Sequence, residues 1–226
     1  MGADLLIIAF SFFVFLFCLY VFSRDDYVLL RKDISLDKVF DFAFLIALIS
    51  VFSSRLFYVV LNYKPGFLNP FTFALFPYFP GLSLAGGLLG IIIGSMILVK
   101  TAKNFSYHIF DFFALSILCV LPFGFLIQTI LDIIIKRRTL FVYPLEFIVF
   151  SALFLLLNKI RKNTKFSEGS LGFLILACIS IMSFAFSIIQ NWKNFSFLGL
   201  KDNFLFVIIF LICSSIFIKE IKTSKK

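Results

Sequence analysis

Apolar runs of about twenty residues, each followed by a short charged stretch, dominate this chain. At ~1.5 Å of helix rise per residue, such a run covers the ~30 Å hydrocarbon core of a bilayer. Of the 226 residues, 62% are hydrophobic and 15% charged, where a soluble domain has roughly 45–50% and about 25%. A water-soluble fold of this length has no interior large enough to hide that surface, whereas a bilayer accepts it on every outward face. The runs predict an all-α integral membrane protein with about seven transmembrane helices. Residues 1–226 read as one polytopic domain. The 36 phenylalanines add to the apolar excess and bring no chemistry of their own.

The expected spans are about 5–22, 39–61, 82–99, 110–135, 142–157, 171–190 and 204–218. The first sits where a secretion signal would, yet no Lys or Arg precedes it and no A-x-A site closes it. It reads as a permanent span. Residues 71–80 are apolar but too short to cross, and Pro70, Pro77 and Pro80 exclude a regular helix, so a re-entrant or interfacial segment is expected. Gly86, Gly90 and Gly94 recur every four residues, on one helix face, and let a second helix approach closely. Pro122 with Gly124 predicts a kink in the fourth span.

Basic residues set the orientation. Fourteen of the 21 Lys and Arg lie after spans one, three and five and in the C-terminal tail, six lie in the alternate loops, and Arg55 lies within a span. Positive charge gathers on the cytoplasmic side, which places the N-terminus outside and the C-terminus in the cytoplasm. The net charge of +9 is scattered over loops, so nucleic acid is not expected as a partner.

Few polar groups stand where they could act. Arg55 falls about six residues, ~9 Å of helix rise, below the outer surface. A cation there faces a polar cavity or a partner. It reads either as a guanidinium for a lipid phosphate or as a snorkelling or structurally paired arginine. Asp111 reads as a cap at the start of its own span and His108 as a solvated side chain, with a proton relay between them the alternative. Asp132 and Glu146 flank the basic loop Lys136–Arg138, and ion pairing with it is expected. Cys18, Cys119, Cys178 and Cys213 lie in apolar stretches without a CxxC pair and read as packing residues. No metal site and no cofactor are expected.

The order of several short motifs resembles the prolipoprotein diacylglyceryl transferase family. GLSLAGGLLG over 81–90 is similar to that family's glycine-rich signature with a central HGGL. Ser54, Arg55 and Tyr58, then Asn62 and Tyr63, resemble its GRIGYVLFYN run. Asp111 and Phe112 resemble its SDF element. Tyr143, Pro144, Leu145 and Glu146 resemble the start of HPSQLYE, and 168–172 resembles its last glycine-rich turn. The resemblance implies seven spans with the N-terminus outside, in a bacterial cytoplasmic membrane. It implies a reaction that moves diacylglyceryl from phosphatidylglycerol to the lipobox cysteine of a preprolipoprotein.

That reaction needs a thiolate to attack a glycerol carbon and positive charge for the departing glycerol phosphate. On the resemblance, the lipid-binding set is Arg55, Tyr58, Gly86, Gly87, Gly90, Gln128, Tyr143 and Glu146, with no catalytic residue assigned. The chain departs from the pattern at several places. Ala85 stands at the family histidine, Phe125 and Gln128 at the arginine and asparagine of GRxGN, and Met182 and Phe186 in the late arginine–glutamate region. Three readings follow: a transferase with an altered site, a non-catalytic relative that binds phospholipid or lipoprotein precursor, and an unrelated small-solute transporter.

Overall fold

The computed structural model describes residues 2–24, 26–62, 81–101, 107–135, 142–163, 169–190 and 201–224. They form α1 (Gly2–Ser23), α2 (Tyr27–Arg31), α3 (Leu36–Leu61), α4 (Leu84–Thr101), α5 (Tyr107–Ile135), α6 (Val142–Asn163), α7 (Ser170–Gln190) and α8 (Lys201–Ser224). The stretch 71–80, expected to be re-entrant or interfacial, lies outside the described residues.

Among the described residues, six helices are long and apolar enough to cross a membrane, with the candidate spans in α3 to α8; α1 contributes a shorter apolar stretch, Ala9–Ser23. Large apolar side chains crowd the outer faces, among them Phe44, Leu48 and Phe52 on α3 and Ile148, Leu155 and Leu156 on α6. In water such a surface would drive association, whereas lipid solvates it. The protein is all-α and multi-pass.

Consecutive helices pack as pairs: α3 with α4, α5 with α6, and α7 with α8. Further contacts of α1 with α3 and α5, of α5 with α7, and of α4 with α8 complete a circuit α1–α3–α4–α8–α7–α5, with α6 set against α5 and α7. The most enclosed side chains lie on α5 (Phe110, Phe112, Phe113, Leu118) and α7 (Ile175, Leu176, Ile179). Lipid is as apolar as these residues, so close packing rather than escape from water holds the helices together.

Several helices run past their apolar stretches. α6 continues through Lys159 and Arg161 to Asn163, and α8 through Lys219 and Lys222 to Ser224. Helical hydrogen bonding tolerates charged side chains once they reach headgroup depth, which apolarity alone does not register. α5 runs unbroken through Pro122, although the ring leaves one carbonyl of the preceding turn without its helical donor.

The α3–α4 junction and the glycines form one end of the bundle, here the Ser83 end. The helix starts at Tyr107 and Ser170, together with the end of α1, form the other, here the Asp111 end.

Candidate functional site

At the Ser83 end, α3 and α4 are joined by hydroxyl and backbone bonds. Ser54 Oγ donates to the Ser83 carbonyl at 2.8 Å, and the Ser83 N–H donates to the Ser54 carbonyl at 3.2 Å. Ser83 Oγ accepts from the Gly86 N–H at 3.1 Å, which caps α4. One turn deeper, Ser50 Oγ donates to the Gly87 carbonyl at 3.0 Å.

Arg55, only 3% exposed, reaches from α3 across this junction. Its Nη1 donates to the Gly81 carbonyl at 2.9 Å, and its guanidinium carbon lies 5.8 Å from the centre of the Tyr58 ring. Gly81 has φ +145°, and a Cβ there would coincide with the Tyr58 ring. Arg55, Tyr58 and Gly81 therefore form one packed unit that leads into α4.

The glycines fit the face on which α3 and α4 touch. A Cβ on Gly86 would lie 2.7 Å from Phe57 Cβ and 3.2 Å from Ser54 Cα, and one on Gly90 would lie 2.7 Å from Ser50 Cα. Gly94 continues the face against Ile49 at 3.3 Å. Gly87 is turned aside, its closest approach being Ser50 Oγ at 3.4 Å. Ala85, at the place of the family histidine, is completely buried.

A second group lies on α5, α6 and α7. The Phe125 ring stacks on Phe150 at 5.3 Å and 25°, and Phe186 approaches the same ring at 6.3 Å. Phe150 is fully buried. Phe125 and Phe186 stand where the resemblance puts charged side chains, and here both meet one phenylalanine. Met182, one turn before Phe186, packs against the same core. Gln128 is half-buried about one turn beyond Phe125, and Tyr143 is half-buried in the first turn of α6.

Glu146, one turn before Phe150, is 6% exposed, and its Oε2 has no hydrogen-bond partner among the described residues. The loop expected to pair with it, Lys136–Arg138, and the side chain of Asp132 lie outside the described residues. The candidate set thus divides, with Arg55, Tyr58, Gly86, Gly87 and Gly90 on α3–α4 and Gln128, Tyr143 and Glu146 on α5–α6.

The Asp111 end corrects two expectations. Asp111 caps α7 rather than its own helix: its Oδ2 accepts from the Gly169 N–H at 2.8 Å and its Oδ1 from the Gly172 N–H at 2.6 Å. The donors of a helix start attract a carboxylate from any element that reaches them. His108 is not merely solvated. Its Nε2 lies 3.0 Å from Asp26 Oδ1, and its ring meets Phe112 edge-on at 4.8 Å. The same Asp26 oxygen accepts from the N–H groups of Val28 and Leu29 and caps α2. The structure thus joins His108 to α2 and Asp111 to α7.

Arg161 was legible in the sequence only as loop charge. Its guanidinium lies over Phe112 at 4.8 Å and near Phe22 at 5.8 Å. The usable signal was spacing, since Phe150, Leu157 and Arg161 repeat at intervals of seven and four on one face of α6.

An apolar cavity of about 230 Å³ opens between α1, α3, α4 and α5, lined by Phe12, Phe15, Ile46, Ile117 and Leu121 with the Ser11 and Ser50 side chains. Among the described residues, no group of three His, Cys, Asp or Glu could hold a metal.

Comparison with known families finds a similarity. A model for prolipoprotein diacylglyceryl transferase matches residues 5–127, from α1 into the second half of α5. The matched stretch holds Arg55, Tyr58 and the three candidate glycines. No curated protein and no solved structure gives a match.

Proposed function

The chain belongs to the prolipoprotein diacylglyceryl transferase family, and on that premise we propose that it binds anionic phospholipid, phosphatidylglycerol foremost, without carrying out the transfer. In this reading α1 is the first of seven spans, the N-terminus is outside, and the protein sits in a bacterial cytoplasmic membrane. The Ser83 end then faces outward, where the lipobox of a preprolipoprotein would arrive as the second partner. The orientation rests on the bias of Lys and Arg toward alternate loops.

The observation that carries lipid binding is Arg55, a buried cation inside a span and beside the glycine-lined start of α4. Placing charge at that depth is costly and is a mark of function. A planar guanidinium suits phosphate oxygens. Its bond to the Gly81 carbonyl fixes its direction. Tyr58 backs it, while Tyr143, Gln128 and Glu146 lie apart from it on α5 and α6.

Transfer would form a carbon–sulfur bond to the glycerol carbon and break that carbon's bond to the phosphate oxygen. The cysteine proton must leave and the phosphate charge must be met. Ala85 has no group to take a proton. His108, the sole histidine, lies at the far end of the bundle, about the 26 Å length of α4 away. At two places where the family pattern carries charge, Phe125 and Phe186 instead meet the Phe150 ring. An arginine placed singly among those rings would give up its hydration to aromatic side chains, so these substitutions support one another and favour binding without turnover.

The test is lipid retention. Protein purified in mild detergent is expected to carry phosphatidylglycerol in native mass spectrometry, and Arg55→Ala to lose most of it while keeping its fold. A folded, lipid-free protein with no affinity for phosphatidylglycerol vesicles would sink the reading. A second reading, transfer by an altered site, draws support from the family match over 5–127, with Arg55 and the loop cations Lys136 and Arg138 meeting the phosphate.

A further inference from the structure

Two of the four cysteines meet. Cys18 on α1 and Cys119 on α5 are 101 residues apart in the chain, yet their sulfurs lie 3.2 Å from each other. We propose that this pair is a redox-responsive cross-link site, which closes to a disulfide and fastens α1 to α5 when a membrane-soluble quinone accepts the electrons.

A disulfide needs its sulfurs at about 2.05 Å, so the pair must close by only about 1 Å, within reach of small rotations of two side chains. The two thiols face each other across the helix interface, with Cys18 Sγ donating to Cys119 Sγ. Cys178 and Cys213, on α7 and α8, are free thiols in the same apolar surroundings and serve as internal comparison.

An apolar cavity adjoins the pair through its chain neighbours, although neither cysteine itself lines it. Phe15 lies one turn before Cys18, Val120 follows Cys119, and both line the apolar cavity between α1, α3, α4 and α5. That recess excludes ions and admits a flat apolar acceptor. Two S–H bonds break and one S–S bond forms. The two electrons and two protons pass to the quinone and leave it as hydroquinone, and a dithiol reductant reverses the step. The consequence is mechanical. α1 packs chiefly against α5 and more lightly against α3, so the bond would pin one wall of the cavity to another.

The experiment uses the whole protein in lipid nanodiscs. It is treated with duroquinone, a fully substituted quinone that cannot alkylate thiols, then denatured and labelled with a maleimide. Two of the four thiols are expected to escape labelling, dithiothreitol is expected to restore them, and peptide mapping should join position 18 to position 119 within one chain. In the double variant Cys178→Ser/Cys213→Ser both remaining thiols should escape labelling, and Cys18→Ala should leave every remaining thiol open to label. Labelling of all four thiols after treatment of folded protein would overturn the proposal. So would a cross-link between chains or one that involves Cys178 or Cys213.

Discussion

Asp111 on α5 holds the start of α7, its Oδ1 taking the Gly172 N–H at 2.6 Å while its Oδ2 takes the Gly169 N–H at 2.8 Å. Two short motifs far apart in the chain thus form one joint, with the carboxylate 7% exposed. The turn leaves no slack. Gly169 has φ +85°, and a Cβ on Gly172 would lie 2.7 Å from the Phe110 ring.

Removing the carboxylate strands two buried N–H donors, at about 1–3 kcal/mol for each group left unmade. Asp111→Ala should therefore lower the melting temperature in detergent clearly. Asp111→Asn keeps one acceptor oxygen and should lose less. Equal melting of Asp111→Ala and the parent protein would show that the joint does not bear on stability.

The α3–α4 contact predicts an order among four glycine-to-alanine changes. Gly90→Ala drives a methyl into the α3 backbone and should be worst, with Gly86→Ala next; overpacking costs about 1–3 kcal/mol. Gly87→Ala meets only ordinary contact, and a methyl at Gly124 meets nothing within 4 Å. Gly124→Ala should be neutral or stabilising by up to about 1 kcal/mol, since alanine favours the helix. Thermal melting of the four variants checks the order.

The aromatic cluster on α5, α6 and α7 predicts a large cavity effect. Phe150→Ala removes the ring that both Phe125 and Phe186 touch, and phenylalanine-to-alanine changes in cores cost about 3–5 kcal/mol. Phe125→Arg, which restores the family's residue type at one position, should destabilise the protein and yield no transfer. Unchanged melting of Phe125→Arg would mean that the cluster already admits charge.

At the Asp111 end, Arg161 lies over two aromatic rings. Replacing it with Gln removes the cation and keeps much of the stem. A modest loss of about 0.5–2 kcal/mol is expected from the cation–aromatic contacts. Arg161→Lys, which lacks the planar face, should recover only part of it. Full recovery by lysine would reduce the role of Arg161 to charge alone.

Local features were readable in the sequence. The apolar runs marked the helices, and the four-residue glycine spacing marked a close helix contact that turned out to be α3 on α4. Arg55 stood out as a charge in a span. What escaped were pairings across large sequence separation. Nothing near Asp111 says that its donors lie 58 residues away, and nothing near Cys18 names Cys119. Helix periodicity reports which face is buried but not against which helix. The helix ends were legible only roughly, because charged residues such as Lys159 and Lys222 extend helices past the apolar stretch that marks a span.

The central claim is lipid binding without transfer, and a single mass spectrum tests it. Purified protein is incubated with phosphatidylglycerol and a lipobox peptide, beside an active transferase as control. The account predicts protein that carries bound phosphatidylglycerol and a peptide of unchanged mass. A peptide that has gained a diacylglyceryl group, above the level of an Arg55→Ala variant, would contradict it.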